Sequence, residues 1–265
     1  MELSYILADP SGNTTVFVLS PVPAAQYGPV ARAVMDRLDA EQVAFVHDGR
    51  MDMMGGEFCG NASRSFALWQ ALQQDNGRTV RPLSGECRQQ VTVSGAPAPL
   101  TVALSGEGGD VYHARIHMPL PLRVMALEEP FLGPCTLVEY PGISHLVLEE
   151  RVPHGEDPEI AQELLDSLDA QSCCFGLLYV EDGMMRPRVI VREAGTDVWE
   201  SSCASGTCAV AAALALRQGE DIMLELEQPG GLLTAFATVR QGVLTDLQLD
   251  GPVTFPKSGV LTLDI

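Results

Sequence analysis

Most of the chain alternates apolar and polar residues over short stretches, a pattern typical of half-buried strands. The predicted strands are Ser4–Ala8, Thr15–Leu19, Gln42–His47, Gln90–Val93, Leu100–Leu104, Val111–His117, Cys135–Glu139, Leu146–Glu149, Phe175–Glu181, Arg188–Arg192, Gly231–Val239 and Val243–Leu249. Four segments are predicted as helices: Ala24–Leu38, Gly60–Gln74, Pro158–Leu168 and Ala204–Gln218. Because strands and helices do not alternate strictly, the pattern predicts an α+β fold with mostly antiparallel sheet.

The order of elements repeats in the two halves of the chain. Each half has strands, a helix, more strands and then a turn whose Cys opens a second helix. These turns read EFCGNAS with Cys59 and ESSCASGT with Cys203. The repeat predicts two similar lobes, each a sheet wrapped around a central helix, with the active site in the cleft between them. We place the N-terminal lobe at residues 1–121 and the C-terminal lobe at 122–265, with the terminal strand free to pack on the first lobe.

Composition narrows the range of partners. The formal net charge is −19, which opposes binding to nucleic acid or to anionic lipid. The first residues have neither the basic region nor the apolar region of a secretory signal, and no apolar run is long enough to cross a bilayer. The seven Cys, an odd number, indicate reduced thiols, and none forms a cluster with zinc-site spacing. We therefore expect a cytoplasmic protein without a structural metal.

Two of the cysteines are candidates for catalytic residues. Cys59 and Cys203 each precede small residues that favour the start of a helix, where unpaired N–H groups and the helix dipole lower the pKa of a thiol and attract a carboxylate. The alternative is that each is a small buried hydrophobic residue, the usual role of a free Cys. The matched settings in both halves favour the chemical interpretation.

Two thiols beside a bound carboxylate suggest inversion at a carbon atom. One thiolate would remove the proton from the carbon next to the carboxylate, and the other thiol would deliver a proton to the opposite face. Such a reaction needs no cofactor. A pyridoxal enzyme would have to use Lys257, the single lysine of the chain.

Five motifs, spread in order over the chain, resemble those of the diaminopimelate epimerase superfamily of cofactor-independent amino-acid racemases. They are PSGN at Pro10–Asn13, EQV at Glu41–Val43, GGEFCGNA at Gly55–Ala62, ESSCASGT at Glu200–Thr207 and QPGG at Gln228–Gly231. Within that superfamily the chain is most similar to the histidine racemases of staphylopine-type metallophore biosynthesis. The resemblance implies an amino-acid substrate, a homodimer and a product that enters an opine-type metallophore.

The resemblance also implies roles for particular residues. Cys59 and Cys203 would be the catalytic acid/base pair. The substrate-binding residues would be Asn13, Glu41, Gln42, Gly60, Asn61, Ala204 and Ser205. From the residues alone, Asn13 is more typical of a turn, whereas Glu41 and Gln42 are equally typical of a solvated loop. Arg64 is assigned no role.

Departures from the superfamily pattern bear on the substrate. The Glu-Arg pair that grips the distal group of diaminopimelate would fall on Ala194 and Gly195, while Arg192 and Glu193 are reversed and out of register. The usual Gly-Asn-Pro-His segment reads Gly142–His145 without its Asn. A charged distal group would be left unpaired, so the departures argue against diaminopimelate and favour a neutral or weakly basic side chain. The resemblance implies that this side chain is that of histidine. A diaminopimelate epimerase with a shifted recognition loop and a non-catalytic binding protein remain as alternatives.

Overall fold

The computed structural model describes residues 1–73, 86–106, 111–170, 172, 174–191 and 196–263. The helices are α1 (Tyr27–Leu38), α2 (Gly60–Leu72), α3 (Asp157–Ser167) and α4 (Ala204–Gln218). The strands are β1 (Glu2–Asp9), β2 (Thr15–Val18), β3 (Gln42–His47), β4 (Arg50–Met53), β5 (Cys87–Val93), β6 (Leu100–Gly106), β7 (Tyr112–His117), β8 (Arg123–Glu129), β9 (Gly133–Tyr140), β10 (Ile143–Glu149), β11 (Cys174–Glu181), β12 (Met184–Val191), β13 (Thr196–Trp199), β14 (Ile222–Gln228), β15 (Gly231–Arg240), β16 (Val243–Asp250) and β17 (Pro252–Thr262). Within these ranges no helix is long and apolar enough to span a membrane.

The chain divides into two compact units. Unit 1 consists of Met1–His117 and Asp250–Ile265, and unit 2 consists of Met118–Leu249. Each unit contains one of the two cysteine turns that the sequence singled out.

The strands of unit 1 form a closed ring. Strands β17, β1, β2, β3, β4, β5, β6 and β7 each pair with the next, and β7 pairs back with β17. The β2–β3 and β4–β5 pairs are parallel, and the other pairs are antiparallel. Closure removes the exposed edges of a sheet, so this barrel holds the side chains that it encloses in fixed positions.

Helix α2 is buried on all of its faces against this barrel. It contacts β1, β5, β6 and β7, and its residues from Gly60 to Leu68 are all buried. On its apolar side the ring of Phe66 meets the edge of Phe17, with the ring centroids 5.9 Å apart. A helix buried all round has little freedom to shift, so the position of its first turn is fixed by packing.

Unit 2 is built around the Ala-rich helix α4. Its described strand pairs run from β8 through β9, β10 and β11 to β12, and β14 pairs with β15. Ten of the 15 residues of α4 are buried, and the helix packs on β9, β10, β14 and β15. Small side chains allow this close packing, and Gly219 ends the helix in the left-handed conformation with φ 74°.

The predicted arrangement of two similar lobes of the diaminopimelate epimerase type is wrong. Unit 1 is a closed eight-stranded barrel that the C-terminal strand β17 completes, and unit 2 carries the additional strand β13 on β12. The error has a physical cause. Alternating apolar residues mark a strand, but they do not tell which distant strand it pairs with or whether the sheet closes.

Candidate active site

Cys59 is the N-cap residue of α2. Its backbone is extended, with φ −126° and ψ 115°, and its Sγ atom accepts a hydrogen bond from the backbone N–H of Ala62 at 3.4 Å. The first N–H groups of a helix have no partner within the helix, and the thiol satisfies one of them. The half-buried sulfur therefore lies at the positive end of the helix dipole.

The residues predicted to bind substrate in unit 1 lie together around this turn. The thiol of Cys59 donates to Oε1 of Gln42 at 3.2 Å, and Nε2 of Gln42 donates to Oδ1 of Asn13 at 3.1 Å. The same oxygen of Asn13 accepts from Nδ2 of Asn61 at 3.1 Å, and Nδ2 of Asn13 donates to Oε2 of Glu41 at 2.7 Å. The sequence placed these residues in separate motifs, and the barrel brings them into one network.

The turn between β1 and β2 delivers Asn13 to this network. Ser11 and Gly12 have φ of 60° and 84°, and the N–H of Gly12 donates to Oδ1 of Asp9 at 2.6 Å. The backbone N–H of Gln42 donates to the carbonyl of Thr14 at 3.0 Å, which brings the start of β3 beside the turn. Positive φ is easy for Gly, so the SGN sequence supports a tight turn that points Asn13 inward.

Arg64, to which the sequence assigned no role, belongs to the same network. It is fully buried, its Nε donates to Oδ1 of Asn61 at 3.1 Å, and its Nη1 donates to the carbonyls of Gly251 and Pro252 at 2.7 and 3.0 Å. Its Nη2 has no hydrogen-bond partner within the described residues. Burial lowers the pKa of Arg64 to about 10, so the side chain is charged at neutral pH. A lone basic residue about one turn into an otherwise uncharged helix is the sequence signal that could have identified it.

Cys203 is the N-cap residue of α4, with φ −125° and ψ 109°. Its N–H donates to Oε1 of Gln228 at 2.8 Å, and Nε2 of Gln228 donates to Oγ1 of Thr207 at 3.0 Å. The hydroxyl of Thr207 in turn donates to the carbonyl of Cys203 at 2.7 Å. This buried triangle explains the QPGG motif, because Gln228 fixes the backbone of the second cysteine turn from the end of β14.

The electrostatic setting of Cys203 differs from the sequence expectation. Burial raises the pKa of its thiol well above the usual value, and the neighbouring carboxylate of Glu200 raises it further. The hydroxyl of Ser205 and the N–H of Gly206 act in the opposite direction. The expectation of a lowered pKa is therefore wrong for Cys203 in the free protein, since loss of hydration outweighs the helix terminus.

His145 extends the site of unit 2. Its Nε2 lies 2.9 Å from Oγ of Ser205, and that oxygen lies 3.6 Å from Sγ of Cys203. Burial lowers the pKa of His145 to about 3, so the ring is neutral at physiological pH. Ala204, the first residue of α4, is buried beside this contact. His145, the last residue of the Gly142–His145 segment, thus lies at the site of unit 2. The other positions that bear on the substrate, Arg192, Glu193, Ala194 and Gly195, lie outside the described residues, as does Cys173.

The two turns have the chemistry that proton transfer next to a carboxylate requires. Each offers a thiol at the N-terminus of a buried helix, and the adjoining residues, Gly60 and Asn61 or Ala204 and Ser205, carry N–H groups without intrahelical partners. The backbone angles of Cys59 and Cys203 agree within a few degrees, so the two thiols are presented by the same local geometry.

Comparison with known proteins identifies the family. Residues 2–261 match the model of the histidine racemase CntK N-terminal domain. The chain belongs to the histidine racemase family. A histidine racemase of Fusobacterium nucleatum is 30% identical over 271 residues, which cover 97% of this chain and 95% of that protein. The histidine racemase of Staphylococcus aureus is 26% identical over 280 residues, covering 95% and 94%. This member of the family is therefore an amino-acid racemase, an isomerase.

Several solved structures have a fold similar to that of this chain. The structure of an epimerase predicted in Pseudomonas aeruginosa matches with a TM-score of 0.65 at 15% identity, covering 99% of this chain and 100% of the other. A phenazine biosynthesis protein of the PhzF family from Enterococcus faecalis gives 0.57 at 15%, with 99% and 100% covered. A hydroxyproline epimerase from Agrobacterium vitis gives 0.61 at 12%, with 100% and 93% covered. These likenesses concern the fold alone, and they support the PhzF and proline-type epimerase arrangement in place of the predicted diaminopimelate epimerase lobes.

Proposed function

We propose that this racemase inverts Cα of histidine with two cysteine residues and no cofactor, and that it supplies D-histidine for an opine-type metallophore. The observation that carries the mechanism is the pair of N-cap cysteines with matching backbone geometry, Cys59 on α2 and Cys203 on α4. The relatives that are named histidine racemases support the substrate.

In the proposed reaction one thiol serves each face of Cα. The thiolate of one cysteine takes the α-proton and becomes a thiol, and the thiol of the other cysteine gives its proton to the opposite face and becomes a thiolate. Negative charge that develops on the carboxylate in between is met by N–H groups of Gly60 and Asn61 and of Ala204 and Ser205. In the reverse direction the two cysteines exchange roles, so each must be able to hold and release a proton.

The remaining predicted residues have roles in binding under this proposal. Asn13, Gln42 and Glu41 would contact the polar groups around Cα, because they form one hydrogen-bonded network that reaches Cys59 through Gln42. The substrate side chain is a neutral or weakly basic imidazole, which does not require the paired charges that diaminopimelate needs.

The test is turnover of L-histidine in D2O with reductant, followed by chiral chromatography and by mass spectrometry of deuterium at Cα. We expect D-histidine with one deuterium from the intact protein and no turnover from Cys59→Ser or Cys203→Ser. Cys87→Ser, which removes a half-buried thiol on β5, is the matched control and should retain activity.

Other outcomes would change the proposal in defined ways. Turnover of LL-diaminopimelate but not of histidine would contradict the substrate and keep the two-thiol chemistry. Full activity in Cys203→Ser would contradict the two-thiol mechanism. Absence of turnover across a panel of amino acids would favour a binding protein over an enzyme with this mechanism.

A further inference from the structure

Three side-chain amides in unit 1, those of Asn61, Asn13 and Gln42, form a hydrogen-bonded chain that leads to Cys59. Arg64 bonds to the first amide, that of Asn61, and Glu41 bonds to the middle amide, that of Asn13. An amide has an NH2 side that donates and an oxygen side that accepts, so each could lie in either of two orientations. The charged residues have no such choice, because a guanidinium only donates and a carboxylate only accepts. They therefore determine the direction of every hydrogen bond in the chain.

The first charged residue is Arg64, which bonds to the amide of Asn61. Its Nε donates to Oδ1 of Asn61 at 3.1 Å, so the oxygen of that amide must face the guanidinium. The NH2 group of Asn61 then points the other way and donates to Oδ1 of Asn13 at 3.1 Å. Arg64 is fully buried and cannot turn towards solvent to release this orientation.

The second charged residue is Glu41, which bonds to the middle amide of the chain. Its carboxylate accepts from Nδ2 of Asn13 at 2.7 Å, which independently places the oxygen of Asn13 on the opposite side. That oxygen accepts from Nε2 of Gln42 at 3.1 Å, so the oxygen of Gln42 is the atom left to face Cys59. The thiol of Cys59 completes the chain by donating its proton to this oxygen at 3.2 Å.

We propose that Arg64 and Glu41 together act as positioning residues that hold this amide chain in one direction and so keep Cys59 a proton-donating thiol in the free protein. With every bond reversed, Gln42 would donate an N–H to a Cys59 thiolate. That arrangement would turn an amide NH2 group towards the buried Arg64, where two donors face each other, and an amide oxygen towards the exposed carboxylate of Glu41, where two acceptors face each other. Both contacts lose a hydrogen bond, and the one at Arg64 is the more costly because it lies in the buried part of the site. The link to proton donation in catalysis rests on the proposed two-thiol racemase, whereas the direction of the chain does not.

The direct effects of the two charges on Cys59 are separable from the effect of the chain. The cation of Arg64, which also interacts with Asp9 and Asp250, favours a thiolate at Cys59. From the sign of its charge, the carboxylate of Glu41 is expected to oppose the thiolate. The N–H of Ala62 also favours the thiolate. By charge alone, Arg64→Met should slow alkylation of Cys59, Glu41→Gln should speed it, and the two together should roughly cancel.

The amide chain predicts a different result for the double variant. In either single variant one charged residue still holds Asn13, whereas in Glu41→Gln/Arg64→Met the whole chain can reverse and Gln42 can donate to the thiolate. We expect iodoacetamide to alkylate Cys59 of the double variant about tenfold faster at pH 7 than the product of the two single effects. Mass spectrometry of the Cys59 peptide separates this thiol from the others.

Two controls make the test decisive. In a Gln42→Met background no amide remains beside the thiol, so the excess should disappear. Arg64→Lys keeps a buried cationic donor, so Glu41→Gln/Arg64→Lys should show no excess. A double-variant rate equal to the product of the single effects, or an excess that persists with Met at position 42, would overturn the proposal.

Arg64→Met also removes the donor to the carbonyls of Gly251 and Pro252, so it could fail to fold. Thermal unfolding detects this, and Asn61→Ala then takes its place, because it disconnects Arg64 from Asn13 while leaving the guanidinium in position. Glu41→Gln/Asn61→Ala should show the same excess in alkylation. Alkylation needs no turnover, so a failure here is distinguishable from a failure of the proposed racemase activity.

Discussion

The hydroxyl of Ser205 lies between the ring of His145 and the thiol of Cys203. Ser205 is on α4, which begins 59 positions after His145 in the chain. The two distances are 2.9 Å from Oγ to Nε2 of His145 and 3.6 Å from Oγ to Sγ of Cys203. Because the ring is buried and neutral, it can hold the hydroxyl without placing a charge beside the thiol. This contact leads to the first two predictions.

Ser205→Ala should shift the activity of the racemase to higher pH. The hydroxyl of Ser205 lowers the pKa of Cys203 by stabilising its thiolate, so its loss raises that pKa further. A hydrogen bond to a charged group contributes about 1.5–3 kcal/mol, so kcat/KM at pH 7 should fall about tenfold or more. A pH profile of kcat/KM measures the shift, with Ser167→Ala on the exposed surface of α3 as control. An unchanged profile would mean that Ser205 does not act on Cys203.

His145 should make the protein sensitive to mild acid. Its pKa is about 3 in the folded state and near 6.5 when unfolded, so below pH 6.5 the unfolded chain binds a proton that the folded chain does not. This destabilisation of the folded state is absent above that pH and grows as the pH falls towards 3. From this group alone the free energy of unfolding should drop by about 2 kcal/mol between pH 7 and pH 5. Urea unfolding at both pH values should show a smaller drop for His145→Gln, and equal drops would refute the assignment.

Gly176→Ala should damage the site from the neighbouring strand. Gly176 on β11 pairs with His145 on β10, and a Cβ at this position would come within 2.4 Å of Nδ1 of the ring. The ring would have to move, at a cost of about 1–3 kcal/mol in the free energy of unfolding. Gly155→Ala is the matched control, because nothing lies within 4 Å of its Cβ. Thermal unfolding of both variants checks this, and similar melting temperatures would contradict the predicted clash.

Gln228→Ala should destabilise the second cysteine turn. The side chain of Gln228 is buried and is the acceptor for the N–H of Cys203, so its removal leaves that donor without a partner. The expected loss is about 1–3 kcal/mol in the free energy of unfolding, together with reduced racemase activity as the turn loosens. Gln218→Ala, at the exposed end of α4, should change stability by less than about 0.5 kcal/mol. Denaturant titration compares the two, and equal losses would show that the hydrogen bond to Cys203 is unimportant.

The sequence was sufficient for features that depend on neighbouring residues. The helices and both cysteine turns could be predicted because a helix start is encoded within a few positions, as at Cys59 and Cys203. The convergence of Asn13, Glu41 and Gln42 on Cys59 was implied by resemblance, and the geometry places them in one network. Their roles towards a substrate stay predictions.

Features that depend on distant pairing could not be read from the sequence. A terminal strand on the first lobe was anticipated, but its bounds and its closing role were not, because the C-terminal part of β17 is mainly exposed and its position follows from pairing with β1. The roles of Arg64 and of the contact between His145 and Ser205 likewise depend on elements far apart in the chain. The pKa of Cys203 was misjudged because burial cannot be judged from the turn sequence alone.

The barrel that holds Cys59 joins the two extremes of the described chain, since Glu2 on β1 pairs with Thr262 on β17. Unit 2 is one uninterrupted stretch between them. During synthesis the ribosome releases all of unit 2 before it releases β17, and domains generally fold as units when their residues become available. The cysteine turn encoded first is thus the last to gain its complete surroundings, and a nascent protein truncated before β17 would carry a complete unit 2 but an incomplete barrel around Cys59.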